Sequence, residues 1–291
     1  MFEDLKNSSK TPITTLNCKG RLLQLDQPKI MAILNVTPDS FYDGNATLNT
    51  ESFIHKGISL IDEGAEILDI GGQSSRPGSE KISPEEEWKR ISPVVEGIIR
   101  VRPNAIISVD TFYSKVALNA ISMGASMIND ISAGNFDPLM IEIMGKMQVP
   151  YVMMHMKGTP ETMQNEPFYE NIIKEIFDFF VMKIASCRKA GIRDLIIDPG
   201  FGFGKTILHN YQLLNGLEMF NLLDLPLLIG ISRKSTIYKL LGCGPESSLN
   251  GTTVLHTIAL LKGAGILRVH DVREAKECIK LVEAYKKGAI S

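Results

Sequence analysis

From about residue 29 the chain alternates between two kinds of segment. Short, nearly continuous apolar runs recur at KIMAILNVT (29–37), AEILDIGG (65–72), AIISVDT (105–111), SMINDIS (126–132), YVMMHM (151–156), DLIIDPG (194–200), LPLLIGISRK (225–234) and ILRVHD (266–271). Runs of Ile, Leu, Val and Met without alternation are how strands read when a parallel sheet buries both their faces. Between them lie amphipathic stretches of helical period, for instance YENIIKEIFDFFVMKIASCRKAG, where Ile173, Ile176, Phe177, Phe180 and Ile184 form one stripe. Gly64, Gly124, Gly191 and Gly265 follow such stretches and read as left-handed helix stops.

Eight strand–helix units without a composition shift between them predict a single (β/α)8 TIM barrel over residues 29–291. A doubly wound open sheet is the rival arrangement. Ahead of the first unit, ITTLNCKGRLLQL reads as a β-hairpin turning at Lys19-Gly20. Residues 1–28 are therefore expected to form an N-terminal arm and hairpin that closes the barrel bottom.

Composition narrows the class of protein. With 44% hydrophobic and 22% charged residues the chain can build an ordinary core. Lys+Arg 31 against Asp+Glu 33 leaves −2, so no charge excess draws the chain to nucleic acid or an anionic membrane. No apolar run has the roughly 18 residues of a membrane span. The polar start, MFEDLKNSSK, lacks the apolar stretch of a secretory signal, so a cytoplasmic location is expected. Cys18, Cys187, Cys243 and Cys278 are scattered, which argues against a disulfide framework or a zinc site.

The apolar runs change character at their C-terminal ends, in Asn35, Asp69, Asp110, Asn129, His155, Asp198, Lys234 and the pair Arg268/His270. In a barrel all these ends open on the one face where catalysis occurs. Parity puts Ser108 with Asp110, Ser232 with Lys234, and Arg268 with His270, and turns Arg233 the other way. Asp39 and Asp137 read as helix caps. Carboxylates accept paired N–H bonds from an amino-heterocycle, whereas Arg76, Lys205, Lys234, Arg268 and His270 suit phosphate oxygens. PGFGFGKT (199–206) is one residue short of a Walker A loop and lacks the third glycine of GxGxxG. It reads as close backbone approach to a flat ligand, with Phe203 as an apolar wall. His155 is either catalytic or merely hydrogen-bonded.

ILNVTPDSFYDG, DIGGQSSRPG, SVDT, IND, DPGFGFGK, ISRKS and RVHD, in this order, resemble the dihydropteroate synthase family from about residue 29 onward. The resemblance implies a (β/α)8 barrel that condenses 6-hydroxymethyl-7,8-dihydropterin diphosphate with p-aminobenzoate, releasing pyrophosphate in folate biosynthesis. It implies that Asn35 binds the Mg2+ that holds the diphosphate. It places Asp110, Asn129, Asp198 and Lys234 at the pterin, with Arg76, Arg268 and His270 at the diphosphate. Ser75 and Phe203 fall where p-aminobenzoate docks. Asp110, Lys234, Arg268 and His270 are the expected catalytic residues, and Asp69 and Lys205 join the substrate-binding set. Family members are usually homodimers. One departure is GGQSSRPG for the family's GGESTRPG: Gln73 removes a charge and Ser75 a methyl, near the site for p-aminobenzoate and sulfonamides. The long segments 37–48 and 74–83 read as mobile lids over the rim. A pterin-binding methyltransferase or a non-catalytic pterin-binding homologue remains an alternative, although SRKS and RVHD supply contacts that a methyl donor does not need.

Overall fold

A computed structural model describes residues 15–37, 46–74, 79–163 and 165–288. The Asp39 cap, Ser75, Arg76 and most of the 37–48 segment lie outside the described residues.

β1 (Thr15–Cys18) and β2 (Arg21–Gln24) pair antiparallel, joined by Lys19 and Gly20 at φ +58° and +87°. Two left-handed residues in a row are what a tight hairpin matching the strand twist requires, and Lys-Gly meets that with one strained position. The remaining strands are all parallel: β3 (Lys29–Asn35), β4 (Ile67–Gly71), β5 (Ile106–Asp110), β6 (Met127–Asp130), β7 (Tyr151–Met154), β8 (Leu195–Asp198), β9 (Leu228–Ile229) and β10 (Ile266–Val269). Their order β8-β7-β6-β5-β4-β3-β10-β9 is closed by a bridge from Ile197 to Leu227, where Ile197 N donates to Pro226 O at 3.0 Å. The sheet is thus a barrel, and the open-sheet rival is excluded.

Around it run α1 (Ala46–Asp62), α2 (Pro84–Val101), α3 (Ser114–Met123), α4 (Met140–Met147), α5 (Ile172–Lys189), α6 (Ile207–Asn215), α7 (Ser235–Leu241), α8 (Leu249–Leu261) and α9 (Val272–Gly288). Local chemistry sets their ends. Ser83 Oγ accepts Glu86 N at the start of α2, and Asn171 Oδ1 accepts Lys174 N at the start of α5. Gly64, Gly124 and Gly191 sit at φ +112°, +130° and +90° after their helices. After α8, Gly263 (φ +101°) takes that conformation in place of Gly265. The stretch YQLLNGLEMFNLL is not one helix, because the chain breaks at Gly216 and continues as a 3-10 turn from Leu217 to Leu223.

Inside the barrel, side chains fall into layers. The lowest layer is apolar: Met31, Ile67, Met127, Val152, Ile196, Leu228 and Ile266, with Ile106 packed against it. Leu16, Cys18 and Leu23 of the hairpin join this cluster, so the N-terminal mouth is plugged by hydrocarbon. One step up, the interior turns polar on five strands, with Asp69, Ser108, Asn129, Asp198 and Arg268 on the inward positions, while β3 and β7 keep Ile33 and Met154 there. The second, larger core lies between sheet and helices and holds the outward strand residues.

The largest departure from the sequence pattern is the seventh barrel strand. The apolar run spans 225–234, but β9 keeps only Leu228 and Ile229. From Gly230 the chain leaves the sheet, and Arg233 adopts a left-handed φ of +52°. Periodicity cannot reveal this, because the polar turn simply continues the apolar run.

Leu16 is fully buried in the plug. Leu16→Ala should destabilise the fold by about 2–5 kcal/mol, the usual cost of a cavity in a core. Urea unfolding measures it, with the catalytic parameters of the remaining folded protein unchanged.

Candidate active site

The polar layer is organised around Arg268. Its Nε donates to Asp69 Oδ2 at 2.7 Å and its Nη2 donates to Asp110 Oδ2 at 2.7 Å. Asp69 Oδ2 also accepts Asn129 Nδ2 at 2.9 Å. Asp69 Oδ1 and Ser108 Oγ, on register partners of β4 and β5, are buried with no hydrogen-bond partner. Burial pushes the Asp110 carboxyl up from its usual range; Arg268 opposes this, while Asp69, Asp130 and Asp198 add to it. Gly71 faces Asp110 across the strands, and a Cβ there would touch Asp110 Cβ at 3.4 Å. Arg268, expected to serve the diphosphate, therefore spends Nε and Nη2 on two carboxylates. Nη1 makes no hydrogen bond among the described residues.

A second group forms at the end of β8. Asp198 Oδ1 accepts Gly200 N at 2.8 Å, while Oδ2 faces Gly230, where the missing side chain leaves room. Lys234 Nζ donates to Phe201 O and lies 4.4 Å from the centre of the Phe203 ring. Burial lowers the Lys234 pKa from 10.5 to about 8; Asp198 and Asp110 resist that shift and Arg268 favours it. Burial also raises the Asp198 carboxyl, opposed by Lys234, the Gly200 N–H, Arg268 and Lys205. Asn129 uses its amide N–H on Asp69, which leaves its carbonyl oxygen as an acceptor beside this group.

Lys205 does not join the set that faces a ligand. It is 2% exposed, and its Nζ donates to Gly200 O (2.9 Å) and Phe203 O (3.1 Å) and contacts His155 Nδ1 (3.1 Å). An ammonium has three protons, so none is left over. The alternatives for His155 resolve with it. Burial, then Lys205 and Lys157, drive its pKa well down, so it is a neutral imidazole accepting at Nδ1.

At the rim, Ser232 Oγ accepts His270 N (3.3 Å) and lies 3.0 Å from His270 Nδ1. With the serine hydroxyl donating to Nδ1, the proton of the neutral ring is carried as Nε2–H. The His270 ring is open to solvent on one side, yet loss of water around the rest and the nearby Arg268 push its pKa down to about 4. Near pH 7 the ring is therefore neutral. Arg233 points away, as expected, though through a left-handed turn and not by strand parity. Its Nε and Nη2 grip Asp271 at 2.8 and 2.7 Å, and its Nη1 donates to Pro245 O and Glu246 O. This clamp fixes both Ser232–Lys234 and His270–Asp271. Sequence reasoning passed over Asp271, whose signal was only its place beside His270. The Phe201 carbonyl has no sequence signal at all.

Asp137 is not the N-cap of the following helix α4, which begins after Leu139 with no side-chain cap bond; its carboxylate accepts Leu139 N at 3.0 Å and, at the start of α3, Ser114 N at 2.8 Å. Gln73 Oε1 accepts Ile82 N at 3.1 Å, so the residue that departs from the family pattern closes the base of the 74–81 segment. All four cysteines are without disulfides.

For a metal, the described residues contain no group of three His, Cys, Asp or Glu that could hold one. Asn35 ends β3 on the inward parity of Met31 and Ile33, is exposed, and pairs with Gly71 next to Asp110. A single neutral carbonyl oxygen at an open rim fits Mg2+, which keeps most of its waters and takes its other ligands from substrate phosphates.

Residues 31–270 match the family described as Pterin binding enzyme, and the chain belongs to it. The class that fold and pocket define is thus an α/β barrel that holds a pterin at its C-terminal face. Within it, the relatives include dihydropteroate synthases of several bacteria. That of Escherichia coli (strain K12) is 44% identical over 271 residues, covering 92% of this chain and 95% of that protein. The solved Xanthomonas albilineans dihydropteroate synthase with 4-aminobenzoic acid superposes with a TM-score of 0.88 at 40% identity, over 95% of this chain and 99% of that one. The same organism's enzyme in complex with 7,8-dihydropteroate gives 0.84 at 39% identity, over 94% and 98%.

Asp198→Asn should weaken binding of a pterin analogue by about 1–3 kcal/mol, roughly 5- to 150-fold. The new amide oxygen would keep the Gly200 N–H, which turns its NH2 toward the ligand's own donors. Calorimetry reads the loss, and unchanged affinity would remove Asp198 from the pocket.

Lys234 acts as a cation, so kcat/KM should hold below its pKa of about 8 and fall as pH rises through it. Lys234→Met should be weakly active and lack this alkaline limb. A wild-type profile flat to pH 10 would show that the charge is not used.

Proposed function

We infer that this chain condenses 6-hydroxymethyl-7,8-dihydropterin diphosphate with p-aminobenzoate to give 7,8-dihydropteroate and pyrophosphate, a transferase step of folate biosynthesis. The observation that carries this reading is the pairing of two unlike ends in one barrel mouth. Asp198, Asn129 and Lys234 match the donor and acceptor edge of a pterin, while His270 Nε2–H and Arg268 Nη1 remain for an anion. The relatives at 44% and 40% identity over nearly the whole chain support it.

The pterin lies with its N–H edge on Asp198 Oδ2 and the Asn129 carbonyl, and Lys234 donates to its ring carbonyl. As the CH2–O bond breaks, its electron pair leaves with pyrophosphate and positive charge spreads over the ring. Asp69, Asp110 and Asp198 outnumber Arg268 and Lys234 by one, so the pocket favours that cation electrostatically. The neutral arylamine then forms the C–N bond and gives up a proton. Asn35 would hold Mg2+, which supplies neutralisation of the diphosphate charge. Ser75 and Arg76, outside the described residues, would by the family resemblance serve p-aminobenzoate and the diphosphate.

Two coarser findings frame the reading. No helix among the described residues is long and apolar enough to cross a membrane, and the reading places the enzyme in the cytoplasm. Exposed Leu240, Leu241, Val254, Leu261, Leu281 and Tyr285 gather on α7, α8 and α9, which suits a homodimer through the last helices.

Incubation with the pterin diphosphate, labelled p-aminobenzoate and Mg2+ should give dihydropteroate and pyrophosphate in equal amounts, and chelating Mg2+ should stop it. Absence of dihydropteroate from a folded preparation would overturn the reading. Sedimentation of the same preparation reads the dimer, which a monomer at micromolar concentration would rule out.

A further inference from the structure

We propose that Lys205 is a positioning residue that sets the Asp198 carboxylate and the Lys234 ammonium by holding the 199–204 turn from the inside.

The turn is built around this one cation. Gly200, Gly202 and Gly204 are left-handed at φ +72°, +82° and +64°, which curls the backbone so that the carbonyls of Gly200 and Phe203 converge on Lys205 Nζ. His155 Nδ1 completes the set of acceptors. The turn is pressed hard against the chain after β7. A Cβ at Gly200 would stand 2.0 Å from His155 O, and one at Gly204 would stand 2.3 Å from Lys157 O. Two further bonds fix its flanks: Tyr169 OH donates to Gly204 O at 2.9 Å, and Gly202 N donates to Asn210 Oδ1 at 2.7 Å.

The outward groups of the same turn are what the ligand-facing residues use. Gly200 N holds Asp198 Oδ1, which fixes the rotation of the carboxyl and aims Oδ2 at the pocket. Phe201 O accepts Lys234 Nζ, and the Phe203 ring lies under that ammonium. Gly200 and Phe203 thus bond Lys205 through their carbonyls and meet the ligand-facing pair through the Gly200 N–H and the Phe203 ring, with the Phe201 carbonyl held between them. Among the described residues no carboxylate pairs with Lys205, and burying an ammonium that way is costly, which is why burial drives its pKa well down. A compact ammonium with three convergent donors meets this geometry; an apolar side chain of the same length would leave two carbonyls and an imidazole nitrogen unpaired, and a planar guanidinium would aim its donors elsewhere.

The proposal rests on the pterin reading above, so direct ligand binding separates the two. Wild type that binds no pterin overturns that reading. With wild-type binding established, Lys205→Met should raise the KM for the pterin diphosphate at least tenfold while the KM for p-aminobenzoate changes less than threefold. Its alkaline limb should also move downward from about pH 8, because Lys234 loses the fixed Phe201 acceptor that favours its charged form, while burial already drives the Lys205 pKa well down. The charged and titratable groups around Lys234 are Asp198, Asp110, Arg268, His270 and Lys205, and only the last is altered. A merely structural lysine would give a lower Tm and a smaller active fraction with both KM values and the limb unchanged; that result overturns the proposal. If Lys205→Met does not fold, Tyr169→Phe, which loosens the turn at Gly204, decides in its place. It should show the same KM split at smaller amplitude, and unchanged values would overturn the proposal.

Discussion

Arg268 is the charge on which the rest of the barrel mouth depends. Three carboxylates, Asp69, Asp110 and Asp198, point into a space closed below by hydrocarbon and largely shielded from water. Like charges so placed would take up protons and lose the ability to accept hydrogen bonds from a ligand. The guanidinium bridges two of them with bonds of 2.7 Å, and the flat fork lets one side chain do so from a single strand. A lysine at that position could offer a point charge but not two fixed directions.

The barrel mouth is therefore braced by ion pairs in its middle layer and graded in polarity along the barrel axis. The hairpin plug and the lowest layer supply apolar burial, the middle layer supplies fixed charge, and the rim supplies His270, Lys234 and Asn35. This grading explains how a site with buried charges persists: the cost of the polar layer is offset by the two hydrophobic clusters on either side of it. The Arg233–Asp271 clamp belongs to the same design, since it braces from outside the two segments that carry Lys234 and His270.

Much of this was legible in the sequence, and for definite reasons. Eight apolar runs with polar ends specify a parallel barrel because a strand buried on both faces must be apolar throughout and can be polar only where it emerges. Lys19-Gly20 specifies the hairpin because its turn needs two left-handed residues. The inward set Asp69, Asp110, Asn129, Asp198 and Arg268 follows from alternation alone, since every one lies on a regular strand.

The rest was decided by tertiary structure. Periodicity could not end the seventh barrel strand at Ile229, because Gly230 through Lys234 turn out of the sheet without any break in composition. Nor could it tell which cations face the ligand. Lys205 and Lys234 both follow barrel strands and look alike in sequence, yet one is enclosed by the carbonyls of a turn and the other lies on its outer side. His270 is neutral and not a cation because folding strips water from most of its ring and sets Arg268 nearby, and both disfavour a second charge. Residue type is a property of the chain, whereas protonation and the direction of a donor depend on what folding brings within a few ångströms.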